Sequence, residues 1–205
     1  MFLEEAIWVG KMLDSIGPAK NRKVANIGSS TGHFRKIVQP HIHISIFDPL
    51  EKRDFIIQHI DAKKDEGVDI IEDITQPSFA TKYANNFQVV ICTNMLEHVE
   101  NIHAVIENLY ACCMNDGFIL ITVPYKYKKH EDPIDNMYRP LPSEIFSLFE
   151  HGKVIEVESK VIVIQQKKYY SKKKSHFPFW GYREIVNYHI GRKHKVSGIL
   201  LKVVK

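Results

Sequence analysis

Short apolar runs alternate with amphipathic stretches along the first 125 residues. Lys23–Ile27, His43–Phe47, Val68–Glu72, Gln88–Thr93 and Gly117–Val123 are rich in Val, Ile and Phe and are bounded by Gly, Pro, Asn or Asp, which predicts five strands. Runs with little polar alternation suit strands buried on both faces. Helix-capable segments separate them: Leu3–Leu13 before the first strand, Gly32–Val38 stopped by Pro40, Lys52–Ile60 after the second, and Val99–Met114 after the fourth. In the last of these, Ile102, Val105, Ile106, Leu109 and Cys113 share one face. Alternation of this regularity predicts an α/β fold with a doubly wound parallel sheet.

The pattern changes after Pro124. Residues 125–142 hold prolines, tyrosines and charges and read as a long loop. Ser143–Phe149 reads as a short helix with Ser143 as its cap. Val154–Gln165 and Gly198–Val204 read as two further strands. Residues 1–205 are taken as one domain, with a basic, aromatic insertion at about 166–195 between its last two strands.

Charge divides the chain unevenly. Residues 1–150 carry 15 Lys and Arg against 21 Asp and Glu, a net of −6, whereas residues 151–205 carry 13 against 3, a net of +10. Two surfaces with different partners, or simply a solvated lysine-rich face, account for that split. With 44% hydrophobic and 25% charged residues the chain is neither collagenous nor disordered as a whole. Its apolar runs are too short for a membrane span. The opening MFLEEAIWVG carries glutamates where an export signal carries positive charge. The three cysteines, Cys92, Cys112 and Cys113, match neither a disulfide framework nor a metal spacing, so a reducing, cytoplasmic setting and a buried filling role are expected.

Candidate chemistry begins at Val24-Ala-Asn26-Ile-Gly28-Ser29-Ser30-Thr-Gly32, a strand running into a small-residue turn and then a helix. Gly28 permits a tight turn and Gly32 a close backbone approach. No Gly-Lys-Ser/Thr follows, so the turn is not a P-loop. Asp48 ends the second predicted strand, before Pro49, 20 residues beyond Gly28, where a carboxylate accepts from ribose hydroxyls. Its ordinary alternative is a turn or helix-cap residue. Glu72-Asp73 closes the third predicted strand, so three strand ends converge on one crevice.

With those residues in place, the chain resembles the class I S-adenosylmethionine-dependent methyltransferases, in particular the type-11-like group with Leu-Glu-His-Val after the fourth strand. That stretch here is Leu96-Glu97-His98-Val99 at the end of Phe87–Val99, followed by a helix and Asn115–Pro124. His130-Glu-Asp-Pro133-Ile-Asp135 and Arg139-Pro-Leu-Pro-Ser-Glu144 also resemble the group's next segment, so the likeness covers roughly residues 20–165. It implies a Rossmann-like seven-stranded sheet with a C-terminal antiparallel strand, supplied by Gly198–Val204. It further implies that Asn26, Gly28, Ser29, Ser30 and Gly32 contact the methionine part and ribose of S-adenosylmethionine. Asp48 and Pro49 would hold the ribose, Asp73 and Ile74 the adenine, and Asn94 and Met95 the sulfonium. Two positions depart from the group's pattern: Asn26 stands where an acidic residue is usual, and Ser30 replaces the middle glycine.

The same resemblance implies methyl transfer to an oxygen, with a sugar, glycan or other small molecule as acceptor. His98 and His130 are the candidate bases, because they titrate near neutrality and the motifs place them beside the crevice. The alternative for His98 is a structural tie of the following loop. Ubiquinone-pathway and small-RNA 3′-end methyltransferases carry a related Glu-x-x-Glu-His and a later histidine around a divalent ion. Here Asn94 replaces the first acid and leaves Glu97, His98 and His130, so Mg²⁺ is not favoured and no metal ligand is assigned. A nucleotide-sugar or NAD-dependent enzyme would also use Gly28, Gly32 and Asp48, but would leave Leu96–Val99 unexplained. The segment Lys167–Lys195, with Tyr169, Tyr170, Lys172 to Lys174, Trp180, Tyr182 and Arg183, is read as an acceptor-binding flap or as packing on the sheet, and behind these as a nucleic-acid face. An RNA-directed methyltransferase or a non-catalytic nucleic-acid-binding module is therefore the alternative function.

Overall fold

In the computed structural model, which describes residues 1–17, 22–130, 134–150, 152–170, 186 and 188–205, seven strands form one sheet. They are β1 (Lys23–Ile27), β2 (Ile56–Asp61), β3 (Ile70–Ile71), β4 (Phe87–Thr93), β5 (Cys113–Lys126), β6 (Val154–Val163) and β7 (Lys195–Val203). Their order is β3-β2-β1-β4-β5-β7-β6, and β7 runs antiparallel to both its neighbours. This is the α/β, Rossmann-like, mostly parallel sheet expected from the sequence. The helices are α1 (Leu3–Asp14), α2 (Pro40–Ile42), α3 (Asp48–Glu51), α4 (Pro77–Tyr83), α5 (Ile102–Cys112) and α6 (Pro142–Ser147).

Period-two alternation divides the core between the two faces of the sheet. Val24, Val89, Ile91 and Leu120 face α1 and the helical stretch around Ile42–Leu50. Ala25, Ile27, Val90, Cys92 and Ile121 face α4 and α5. Layers on both sides explain why β1 and β4 read as nearly unbroken apolar runs. In α5, Val105, Ile106 and Leu109 point inward and the Asn101 side chain caps the first turn by accepting from Ala104 N at 3.1 Å. All three cysteines are free and buried, and burial raises their pKa, that of Cys113 to about 12.

The region between β1 and β2 corrects the sequence reading. His43–Phe47 is helical, not a strand, and Lys52–Ile60 holds most of β2 instead of a helix. The helix from Phe34 does end at Val38, as expected: Gln39 (φ −130°, ψ 66°) is pushed out of the helical region by Pro40. Pro40 itself occupies the first position of α2, where its missing N–H costs nothing, and the chain winds on through π-helical His43–Phe47 into α3. The reason lies in spacing: Ile42, Ile46, Phe47 and Leu50 are buried while Ile44 is exposed, the i, i+4, i+5, i+8 face of a helix, whereas a strand would put Ile44 with Ile46 and turn Phe47 to the other side. At α6 the cap is Leu141 rather than Ser143, with the Glu144 carboxylate accepting from Leu141 N at 2.6 Å. No described helix is long and apolar enough to cross a membrane. Of the basic insertion, residues 171–185 and 187 lie outside the described residues, and with them Lys172 to Lys174, Trp180, Tyr182 and Arg183.

Candidate active site

The chain crosses over between β1 and β4, where β1 turns to β2 on one side and to β4 on the other. At that switch point the carboxyl ends of the strands open into a cavity of about 670 Å³. Asn26 and Ile27 from β1, Ile60 and Asp61 from β2, and Thr93 and Asn94 after β4 line it.

The glycine turn forms the floor. Gly28 has a φ of +64°, and a Cβ there would meet Met95 Cγ at 2.8 Å. The turn is therefore open to glycine alone, and Met95 packs over it. Ser30, in the position usually held by a second glycine, is also left-handed, with a φ of +56°. Its N–H donates to Asp61 Oδ2 at 2.9 Å. Ser29 lines the cavity with the turn. Gly32 does not line it; its N–H donates to Glu66 O at 2.7 Å and its Cα abuts Gly67.

Of the acidic positions, Asp73 and Ile74 line the cavity, whereas Asp48 and Pro49 do not. Asp48 begins α3 and pairs with Lys52 on the surface at 2.6 Å, because the segment taken for a second strand is helical. The acidic end of the real β2 is Asp61, whose Oδ1 accepts from Lys63 N at 3.0 Å. Burial alone would raise the pKa of Asp73, but hydrogen bonds from Gln76 and from the side chain and N–H of Thr75 hold it below the usual carboxylate range. Asn108, buried on α5, fixes the adjoining turn by donating to Ile74 O and Gln76 O.

The two asparagines are held by partners deeper in the fold. Asn26 Nδ2 lies 3.0 Å from His59 Nδ1 across the β1–β2 pair. Burial, reinforced by Arg35, lowers the His59 pKa to about 4, so its ring is neutral at pH 7 and can accept. Asn94, at a φ of +50°, donates its side-chain amide to Glu5 Oε1 at 2.6 Å and its backbone N–H to Thr122 O at 2.8 Å.

His98 and His130 also line the cavity, with ring centroids 5.0 Å apart. His98 Nδ1 donates to Ile134 O at 2.5 Å, which fixes the tautomer and leaves a lone pair on Nε2. That Nε2 lies 3.7 Å from Glu97 Oε1. Glu97 is fully buried with neither carboxyl oxygen hydrogen-bonded, and burial pushes its pKa up to about 8. Burial and neighbouring His98 lower the His130 pKa against the opposing pull of Asp135, whose Oδ2 lies 3.2 Å from Nδ1 but out of hydrogen-bond alignment. Asp135 also accepts from His130 N at 2.9 Å and from Arg139 at 2.6 Å, which fixes the loop carrying His130. Glu97, His98 and His130 each offer one ligand atom, and these lie within 4.8 Å of one another.

Asp61, Arg35, Glu5 and His59 are among the contributors not singled out from the sequence. Asp61 carried a signal, as the acid closing the apolar run from Ile56. Arg35 and Glu5 carried none, because their partners are 5 to 117 residues away in the chain. Arg35 donates to Ser29 O, Ser30 O and Gly67 O at 2.6–2.7 Å and so braces the glycine turn from behind. Two aromatic residues of the basic insertion turn inward instead of forming a flap. Tyr170 is buried, its hydroxyl donating to Ile164 O at 2.9 Å, and the Tyr169 hydroxyl accepts from Leu3 N at 2.9 Å.

Solved structures with this fold include enzymes of several chemistries. A protein described as a sarcosine dimethylglycine methyltransferase from Galdieria sulphuraria is 14% identical, with a TM-score of 0.62 over 98% of this chain and 86% of that one. A geranyl diphosphate methyltransferase in complex with S-adenosylmethionine is 11% identical, with a TM-score of 0.62 over 98% and 86%. Coclaurine N-methyltransferase, bound to N-methylheliamine and S-adenosylhomocysteine, is 13% identical, with a TM-score of 0.60 over 97% and 71%. No curated protein matches this chain in sequence. Residues 10–190 match the family described as a methyltransferase domain, and the chain belongs to that family.

Proposed function

We propose that this chain uses S-adenosylmethionine to methylate a hydroxyl on a sugar, glycan or other small molecule. The observation that carries the reading is that one cavity contains both the glycine turn with its acidic strand ends and the His98–His130 pair. The residues fit the cofactor: the glycine turn, with Met95 packed over Gly28, borders the cavity, and Asp61, Asp73, Asn26 and Asn94 supply polar groups around it. In this assignment Asp61 takes the ribose in place of Asp48, Asp73 and Ile74 the adenine, and Asn26, Ser29 and Ser30 the methionine part. Asn94 and Met95 flank the sulfonium.

Bound there, S-adenosylmethionine supplies an electrophilic methyl group. The chain's own task is to align the acceptor and remove its proton. His98 has its Nδ1–H committed to Ile134 and a lone pair on Nε2, the atom available for that proton. His130, held neutral by its surroundings, is the second candidate at the same wall. Rings continue outward from His130 to Tyr127 and Phe2, at centroid spacings of 5.2 and 5.6 Å, a surface suited to a sugar or other flat acceptor.

A second reading rests on the cluster of Glu97, His98 and His130. Two imidazoles and a carboxylate with unpartnered buried oxygens fit a borderline divalent ion such as Mn²⁺ or Zn²⁺ better than Mg²⁺. An ion held there would polarise an acceptor hydroxyl and favour ionised Glu97.

Calorimetric titration with S-adenosylmethionine and S-adenosylhomocysteine, followed by methyl-transfer assays on hydroxyl, amine and RNA acceptors, tests the proposal. Cofactor binding and hydroxyl methylation are expected, with His98→Ala or His130→Ala losing roughly 10²-fold in turnover. Absence of binding at millimolar cofactor, or transfer confined to amines or RNA, would overturn it. Loss of activity on chelation, with a Mn²⁺-dependent rise in melting temperature, would select the metal reading.

A further inference from the structure

Glu5 is wholly buried, yet it comes from the N-terminal helix and not from the sheet that builds the site. Its Oε1 accepts from Asn94 Nδ2 and from Thr122 Oγ1, both at 2.6 Å, and its Oε2 accepts from Phe2 N at 3.1 Å. Asn94 lines the cavity just past β4 and is locked in a left-handed conformation by its backbone bond to Thr122 O. A carboxamide has one donor end and one acceptor end. Because Glu5 takes the donor end, Oδ1 is the polar atom that Asn94 has left to offer, and among the described residues it accepts no hydrogen bond.

From this arrangement we infer that Glu5 is a positioning residue: it orients and polarises the Asn94 carboxamide so that Oδ1 is presented to the cationic sulfonium of the bound cofactor. The inference rests on the cofactor assignment proposed above. It accounts for a neutral asparagine beside a cation. The carboxylate stands one residue further back, and its charge reaches the ligand through a charge-assisted hydrogen bond instead of by direct contact. A full charge in contact with the sulfonium would bind the reactant more tightly without helping the transfer, whereas an oriented dipole recognises it at lower cost to the barrier. Glu5 also accepts from Phe2 N, so the first turn of α1 and the loop after β4 are set by one side chain.

The distinguishing measurement is the ratio of affinities for S-adenosylmethionine, which carries the sulfonium, and S-adenosylhomocysteine, which does not. Both would be titrated calorimetrically into the wild type, Asn94→Leu, Glu5→Leu and Glu5→Gln. Asn94→Leu and Glu5→Leu are expected to shift the ratio against S-adenosylmethionine by about tenfold, the size of one hydrogen bond to a charged group. Glu5→Gln keeps an oxygen facing Asn94 and Thr122 but removes the charge, and is expected to shift the ratio in the same direction by a smaller factor, about threefold. A merely structural role would weaken both ligands alike and leave the ratio unchanged. An unchanged ratio in Asn94→Leu, in Glu5→Gln or in folded Glu5→Leu overturns the inference. So does a loss in Glu5→Gln as large as that in Asn94→Leu, because the carboxylate would then act directly. Should Glu5→Leu not fold, Asn94→Leu and Glu5→Gln decide. If the wild type binds neither ligand, the cofactor assignment has failed instead.

Discussion

Gly32 and Gly67 meet backbone to backbone: a Cβ on Gly67 would lie 2.7 Å from Gly32 Cα. Gly67 also has a φ of +78°, and Gly32 N donates to Glu66 O at 2.7 Å, so the loop after β2 lies directly against the turn after β1. Gly67→Ala is expected to lower stability by at least about 1–2 kcal/mol from backbone conformation alone, and to weaken cofactor binding as the two loops separate. Thermal melts and calorimetry would show both losses. Gly32→Ala, where the added carbon would sit 3.3 Å from Gly67 Cα, should be milder.

Arg35 performs a related task with its side chain. Its guanidinium donates to three carbonyls, two in the glycine turn and one in the facing loop, and is itself buried. Arg35→Met leaves those carbonyls without their donor, a cost of about 1–3 kcal/mol for each that water cannot reach. Arg35→Lys places a point charge where a planar fork bridged two loops and should restore little. Both variants are expected to lose roughly tenfold or more in cofactor affinity, and affinities within experimental error of the wild type would show that the turn holds its shape unaided.

Asp61 and Asp48 provide a direct comparison of two carboxylates. Asp61→Ala should weaken cofactor binding by about tenfold or more, through the lost ribose acceptor and the freed Ser30 N–H. Asp48→Ala should leave binding unchanged and alter stability by no more than about 0.5 kcal/mol, since it removes only an exposed i,i+4 pair with Lys52. The opposite ranking in calorimetry would restore Asp48 to the site.

The misplacement of that acid shows where the sequence was legible. β1 and β4 announce themselves because central parallel strands are buried on both faces, and the Gly28 turn because only glycine fits beneath Met95. His43–Phe47 has strand composition, and only the wider i, i+4, i+5, i+8 spacing of Ile42, Ile46, Phe47 and Leu50, which leaves out Ile44, fits a helix. Once that segment is taken for β2, the acid of the true strand end is passed over. The loop carrying His98 was legible through its motif. Glu5, Arg35 and His59 were not, because their roles depend on pairings across 30 residues or more, or on backbone carbonyls that leave no trace in composition.

His59 gives the molecule a pH-dependent weakness in its cofactor half. Its pKa lies at about 4 in the folded chain, through burial and Arg35, with Asp69 opposing, against about 6.5 when unfolded. Between those values the unfolded chain binds a proton that the folded chain refuses, so stability falls as pH drops from about 6.5 toward 4 and is full above that window. The loss is on the order of 3 kcal/mol at most. Protonation would also convert Nδ1 from acceptor to donor, facing the Asn26 amide nitrogen 3.0 Å away, and so disturb the end of β1 where the glycine turn begins. His59→Leu removes the titrating group and should flatten this limb of the urea midpoint against pH, while His41 and the carboxylates titrate alike in both proteins. Parallel curves for wild type and variant between pH 4 and 6.5 would show that the His59 ring carries no such penalty.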